Sequence, residues 1–203
     1  MNTQQSTFRP GAIGSDDFKE LIESGDYVDK SLFIKDIIHD KHKVLLITRP
    51  RRWGKSSNMS LLKTFLELEV DQEGNPLPQE KKINPVYFTG GIIEEDGIKQ
   101  TLPPLKIINK EYYSAKNYYE DYRIAMNKLG KYPVIMMNFK DLGGSSYKEL
   151  VEDLKANLTK TFHHHEYLLN STKLNKEEKE NLYQYLYQYK DITTSDLKIP
   201  SII

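Results

Sequence analysis

Residues 44–57 read Val44-Leu45-Leu46-Ile47-Thr48-Arg49-Pro50-Arg51-Arg52-Trp53-Gly54-Lys55-Ser56-Ser57. An aliphatic run, a cationic loop around a proline and a Gly-Lys-Ser that opens a helical pattern follow one another directly. A phosphate-binding loop (P-loop) is built in this order: a buried strand, a tight turn whose backbone N–H groups form a nest, a lysine reaching the β/γ phosphates and a hydroxyl for Mg²⁺. The usual pattern is G-x-x-x-x-G-K-[ST], and here Arg49 holds the place of its first glycine.

Each residue of the loop has a role to test. Gly54 supplies backbone freedom beside the phosphates, Lys55 the charge, Ser56 the Mg²⁺ ligand and Ser57 a further donor at the helix start. Arg49, Arg51 and Arg52 are placed to contact phosphate oxygens, to clamp developing charge or to meet a nucleic-acid backbone. The plain alternative is a solvated basic turn. Trp53 either shields the loop or packs below it.

Composition bounds the reading. A chain of 203 residues fits about one domain and buries a real core. Lys plus Arg and Asp plus Glu number 29 each, a formal net charge of zero, which argues against a bulk polyanion binder. The chain has no Cys, so disulfides, thiolate metal sites and thiol nucleophiles are excluded. Residues 1–11 carry no apolar run of the secretory kind, and 44–47 and 134–137 are too short to cross a bilayer. An intracellular protein with no membrane association is expected.

The rest of the chain supplies the frame. Residues 1–14 read as a flexible lead-in. Ser15-Asp16-Asp17 caps a short helix carrying Phe18, Leu21 and Ile22 that ends at Ser24-Gly25-Asp26. A second helix carries Leu32, Phe33, Ile34, Ile37 and Ile38, with Asp29 as its expected N-cap. Residues 43–48 lack polar alternation, which predicts a strand buried on both faces of a parallel sheet. The spacing of Met59, Leu62, Phe65 and Leu66 predicts a helix from Lys55 to about Leu68.

Residues 70–85 and 90–104 read as loops, with a short strand or packed edge at 86–88, so the stretch of about 70–125 is expected to be a loop-rich insertion. A Tyr-rich helix is predicted over 111–129, a second buried strand over 134–139, and amphipathic helices over 147–162 and 175–189. The tyrosines read as rings covering a core edge, with base stacking as the alternative. His163-His164-His165 cannot converge on one ion from a helix, where neighbours point about 100° apart.

The sequence R-P-R-R-W-G-K-S after Leu-Leu-Ile-Thr, with Tyr-Val-Asp-Lys-Ser-Leu-Phe-Ile at 27–34 and Tyr-Pro-Val-Ile-Met-Met-Asn-Phe-Lys-Asp at 132–141, resembles the predicted AAA-ATPase-like family of P-loop proteins. The resemblance extends roughly over 8–195, interrupted at about 70–125. In that family the phosphate loop carries Arg-Pro-Arg-Arg before an aromatic residue, so Arg49 agrees with the pattern. The resemblance implies ATP and Mg²⁺ as ligands, with Lys55 and Ser56 in their usual roles. It implies an α/β fold, P-loop NTPase-like, with a partial parallel sheet flanked by helices over 15–203.

The family's apolar strand ending in Asp-Glu, which completes the metal site, is not found, and the chain reads as truncated before it. Asp141, after the second apolar run, is the available stand-in for a metal ligand, against a strand-end or capping role. Two functions follow: a module that binds ATP and hydrolyses it poorly or not at all, or a degenerate P-loop fragment that acts through interactions. For the second, the partner is a protein or a second copy pairing with an open sheet edge. Nucleic acid bound by the arginine loop is the remaining option.

Overall fold

A computed structural model describes residues 14–95, 97–113, 118–140, 142–143 and 145–187. These fall into two compact units, the first within 1–69 and 78–134 and the second within 70–77 and 135–203.

In the first unit, α1 (Phe18–Ser24) starts where Asp17 accepts the N–H groups of Lys19 and Glu20, and stops at Gly25 with φ 81°. This is the helix expected from Ser15-Asp16-Asp17. Helix α2 (Leu32–His39) also forms as expected, but its N-cap is Ser31. Asp29 instead accepts the N–H of Ser31 through Oδ1 at 2.8 Å and that of Lys106 through Oδ2 at 2.7 Å. Its carboxylate therefore ties two segments together instead of closing one helix.

Helix α3 (Lys55–Leu66) follows the cationic loop. The buried residues on it are Ser60, Leu61, Thr64 and Phe65, whereas Met59 is 46% exposed. The inward face is thus turned from the expected one, because small polar residues are satisfied inside. The Phe18 N–H donates to Ser60 Oγ at 3.0 Å, Ser60 Oγ donates to Asp17 Oδ2 at 3.2 Å, and Thr64 Oγ1 donates to the Ser60 carbonyl at 2.9 Å. Hydrophobicity alone does not reveal such a face.

Residues 86–88 form a helical turn, α4 (Val86–Thr89), and not a strand, with Tyr87 and Phe88 buried. Residues expected to be loop form a hairpin, β1 (Gly91–Glu95) and β2 (Ile98–Leu102), antiparallel with Gly91 opposite Leu102 and Glu95 opposite Ile98. The sequence signal is the Asp-Gly pair at 96–97, which favours the left-handed backbone that two-residue hairpin turns need, and Gly97 has φ 77°. A five-residue strand on each side gave too little alternation to outweigh the neighbouring prolines.

The stretch read as loop-rich supplies much of the core. Tyr87, Phe88, Ile93, Leu102, Leu105 and Ile107 pack with Phe18, Ile22, Ile34, Leu61, Phe65 and Ala125. Phe88 stacks on Phe18 at 5.2 Å and meets Phe65 edge-on at 5.0 Å between centroids. Ala125 comes from α5 (Tyr118–Lys128), shorter than the predicted Tyr-rich helix; the side chain of Tyr119 lies outside the described residues. Glu69 takes the N–H groups of Ile83 and Asn84 on its two carboxylate oxygens at 3.0 and 3.1 Å, which closes the excursion between them.

The expected parallel sheet is the main difference. Residues 43–48 belong to no strand and are all exposed, with Val44 at 84% and Leu46 at 87%. Residues 134–139 likewise form no strand, and Ile135 is 71% exposed. A strand exists through the neighbours that accept and donate its backbone bonds, and among the described residues neither segment has one. Among the described residues, parallel pairing is confined to the isolated bridge of Glu67 with Tyr132, flanked by Tyr132 N–H to Leu66 O at 2.9 Å and Leu68 N–H to Tyr132 O at 2.8 Å. The only sheet among the described residues is the hairpin.

In the second unit, α6 (Tyr147–His163) begins at Ser146, whose Oγ accepts the Glu149 N–H, while Glu149 accepts the Ser145 N–H at 2.7 Å. The Ser145 hydroxyl, which also donates to Glu149 Oε2 at 2.7 Å, and then that N–H hold the Glu149 carboxyl below its ordinary range. Helix α7 (Lys176–Tyr187) buries Leu182 and Leu186, and Tyr185 stacks on Phe162 at 5.2 Å. The loop 70–77 docks here through Asn170 Nδ2 to Gln72 O at 3.1 Å. No described helix is long and apolar enough to cross a membrane.

Ser60→Ala removes the acceptor of a buried N–H, since Phe18 is fully buried. An unsatisfied buried donor costs about 1–3 kcal/mol, so chemical denaturation should show a loss of about that size. A loss below a few tenths of a kcal/mol would show that water or backbone adjustment satisfies the Phe18 N–H.

Candidate functional site

The loop before α3 is held in a shape that its sequence explains only in part. Gly54, the N-cap of α3, has φ 71° and no side-chain capping bond. A residue with a Cβ resists this left-handed backbone. Arg52 also has a positive φ of 66°, and among the described residues it is the one non-glycine that does. Two left-handed residues separated by Trp53 turn the backbone tightly ahead of the helix.

The turn leaves donors facing outward. The first helical bond of α3 runs from the Asn58 N–H to the Gly54 carbonyl at 2.9 Å. The N–H groups of Lys55, Ser56 and Ser57 precede it and have no acceptor within the helix. They lie at the positive end of a 12-residue helix, where an anion is favoured.

The loop that precedes these donors is cationic. Lys55, Arg49, Arg51 and Arg52 are exposed, and none forms an ion pair with a described carboxylate. The Lys55 ammonium donates to the carbonyls of Arg49 and Pro50, each at 2.8 Å, and so folds back along its own loop. Ser56 is exposed and Ser57 half-buried. Trp53 is 61% exposed, so it does not pack beneath the loop.

One neighbour escaped the sequence reading. A Cβ placed on Gly54 would stand 3.2 Å from the Lys30 ammonium, the sole close group there. Lys30 belongs to the segment 27–31, where Tyr27 and Asp29 are half-buried and Ser31 fully buried, while Val28 and Lys30 are exposed. The signal lay in Tyr-Val-Asp-Lys-Ser, whose alternation sends Lys30 outward. Its destination is set by the fold and cannot be read from spacing.

Tyr27 anchors that segment. Its ring meets Phe18 edge-on at 5.2 Å, and its hydroxyl oxygen accepts the Lys30 N–H at 3.1 Å. Burial pushes the phenol up to about 12, against the smaller opposing effect of that bond, with the Asp29 charge adding to the rise.

The residues present fit phosphate. The donors of residues 55–57, the left-handed Gly54 with an ammonium against it, and the basic loop all suit an anion, and Ser56 offers a hydroxyl for a cation bound with it. Asp141, the expected stand-in for a metal ligand, lies outside the described residues. Among the described residues no group of three or more His, Asp or Glu gathers as a metal site. His163 lies 3.8 Å from Glu166 and His165 contacts Tyr167, so these two diverge.

Residues 12–79 match the family model described as Predicted AAA-ATPase, a stretch that contains α1, α2, the cationic loop and α3. No curated protein and no solved structure matches the chain.

Tyr27 carries a pH prediction. Its folded-state value is raised from 10.0 to about 12, so the folded protein favours the neutral phenol. The resulting stabilisation is fully present below pH 10.0 and is lost as pH rises through about 12. Tyr87, raised by burial and by its bond to Glu23, acts in the same direction. Urea denaturation across this window should therefore show a shallower alkaline loss for Tyr27→Phe than for the unaltered protein. Parallel curves would mean that Tyr27 titrates alike folded and unfolded.

Proposed function

The match over residues 12–79 supports assigning this chain to the AAA-ATPase-like family, and from that premise we propose that the loop 49–57 binds ATP with Mg²⁺. The observation carrying the reading is the first turn of α3: unpaired N–H groups, a left-handed Gly54 and the Lys55 ammonium stand together in a Gly-Lys-Ser sequence.

On this reading the N–H groups of Lys55, Ser56 and Ser57 cradle phosphate oxygens, and Gly54 lets the backbone approach them. Lys55 leaves the carbonyls of Arg49 and Pro50 to reach the β/γ phosphates, and Ser56 ligates Mg²⁺. Arg49, Arg51 and Arg52 neutralise the remaining phosphate charge. Residues 43–48 then supply the P-loop strand of a parallel α/β sheet. The proposal is of binding; no described carboxylate is assigned to activating water, and hydrolysis is not part of it.

Titration calorimetry with MgATP should show saturable binding by the full chain. Lys55→Ala should weaken it about 10- to 100-fold, the worth of one hydrogen bond to a charged group. Equal affinity of the two proteins would overturn the reading.

A second reading is favoured by one observation, the exposure of Val44 and Leu46 at 84% and 87% in a segment without ladder bonds. Such an unpaired apolar segment can pair with a strand from a second copy of this chain. Sedimentation velocity should then show association that increases with concentration and is abolished by Leu46→Lys. A monomer at every concentration would remove this reading.

A further inference from the structure

The segment 27–31 is fixed to the body of the first unit with unusual care for a connection between two short helices. Asp29 bonds Ser31 on one oxygen and Lys106 on the other. Ser31 is fully buried, and its Oγ accepts the Ile107 N–H at 3.0 Å. Tyr27 is locked by its ring against Phe18 and by its hydroxyl oxygen against the Lys30 N–H. Every second residue is thus an anchor, and the residue between the last two anchors is Lys30.

A lysine held only by its backbone normally samples solvent freely, and ordering its long side chain costs up to about 2 kcal/mol in rotamer freedom. Here the backbone on both sides is pinned and the ammonium lies against Gly54, beside the first N–H groups of α3. No described carboxylate pairs with it. It also stands apart from the other lysine: Lys55 extends back to the carbonyls of Arg49 and Pro50, whereas Lys30 arrives from a segment 24 positions earlier in the numbering of Gly54 and Lys30.

We propose that Lys30 is a second phosphate-contacting lysine of this site, delivered to the Gly54 end of the loop by the anchored segment 27–31 to bind the terminal phosphates of the nucleotide. The inference rests on the ATP-binding reading of the loop. It gives Tyr27, Asp29 and Ser31 a common purpose as positioning residues, and it gives Gly54 a second requirement. Any side chain there would occupy the space through which the Lys30 ammonium reaches the turn.

The test compares MgATP binding by the full-length protein with Lys30→Gln, Lys30→Arg and Lys55→Ala, alongside thermal melting of each. Lys30→Gln should bind MgATP about tenfold more weakly, with a shallower dependence on salt and an unchanged melting temperature, because Lys30 is exposed. Lys30→Arg, which keeps the charge, should recover most of the affinity.

Affinity of Lys30→Gln within about twofold of the unaltered protein, while Lys55→Ala binds weakly, overturns the inference and leaves the ATP-binding reading standing. No MgATP binding by the unaltered protein overturns both. Loss in Lys30→Gln that Lys30→Arg does not restore, or that accompanies a lower melting temperature, also counts against a phosphate contact.

Discussion

The bond from the Phe18 N–H to the buried Ser60 Oγ, continued to Asp17, is the constraint on which the site depends. It joins the start of α1 to the second turn of α3 and, with Phe18 packed on Phe88 and Phe88 on Phe65, fixes how α3 is rotated. Rotation matters because the outward donors lie in the first turn of the same helix. A helix anchored by two apolar residues alone could slide or roll by one position; a directional bond from a buried hydroxyl forbids it. The precision of the exposed end is set by polar chemistry inside.

The same logic recurs at the segment 27–31. Asp29 spans two backbone N–H groups that lie far apart in sequence, those of Ser31 and Lys106. Ser31 then binds the next residue on, Ile107. Small polar side chains here act as fasteners between segments that hydrophobic burial would bring together without orienting. One of the segments so joined, 27–31, presents a cation, Lys30.

Much of this was legible in the sequence. The Asp17 and Gly25 ends of α1, the start of α3 at Gly-Lys-Ser and the Ser146 start of α6 are decided within a few residues, and local pattern reads them well. The sheet was not legible in the same way. Val44–Ile47 is as apolar as a buried strand, but apolarity records what a segment would bury and does not provide the neighbour, and among the described residues the neighbour is missing. The hairpin of β1 and β2 failed in the opposite sense, as the flanking prolines and charges hid a turn signal carried by two residues. At the site, Lys55 and Ser56 could be named from their motif, whereas Lys30 reaches Gly54 only through the fold, from a distance in sequence that no spacing rule covers.

On the proposed ATP-binding reading, the Lys55 ammonium, bonded to the carbonyls of Arg49 and Pro50, makes anion binding by this loop an exchange in place of a simple addition. Two good hydrogen bonds must be broken before the lysine can turn toward a ligand. A singly charged ion with one acceptor restores less than is lost. A polyphosphate terminus offers several oxygens and more than one charge to the same ammonium and makes good the difference. On that reading the clasp would act as a threshold filter, disfavouring small singly charged anions while admitting multivalent ones, with selectivity arising from the bonds the loop already makes to itself.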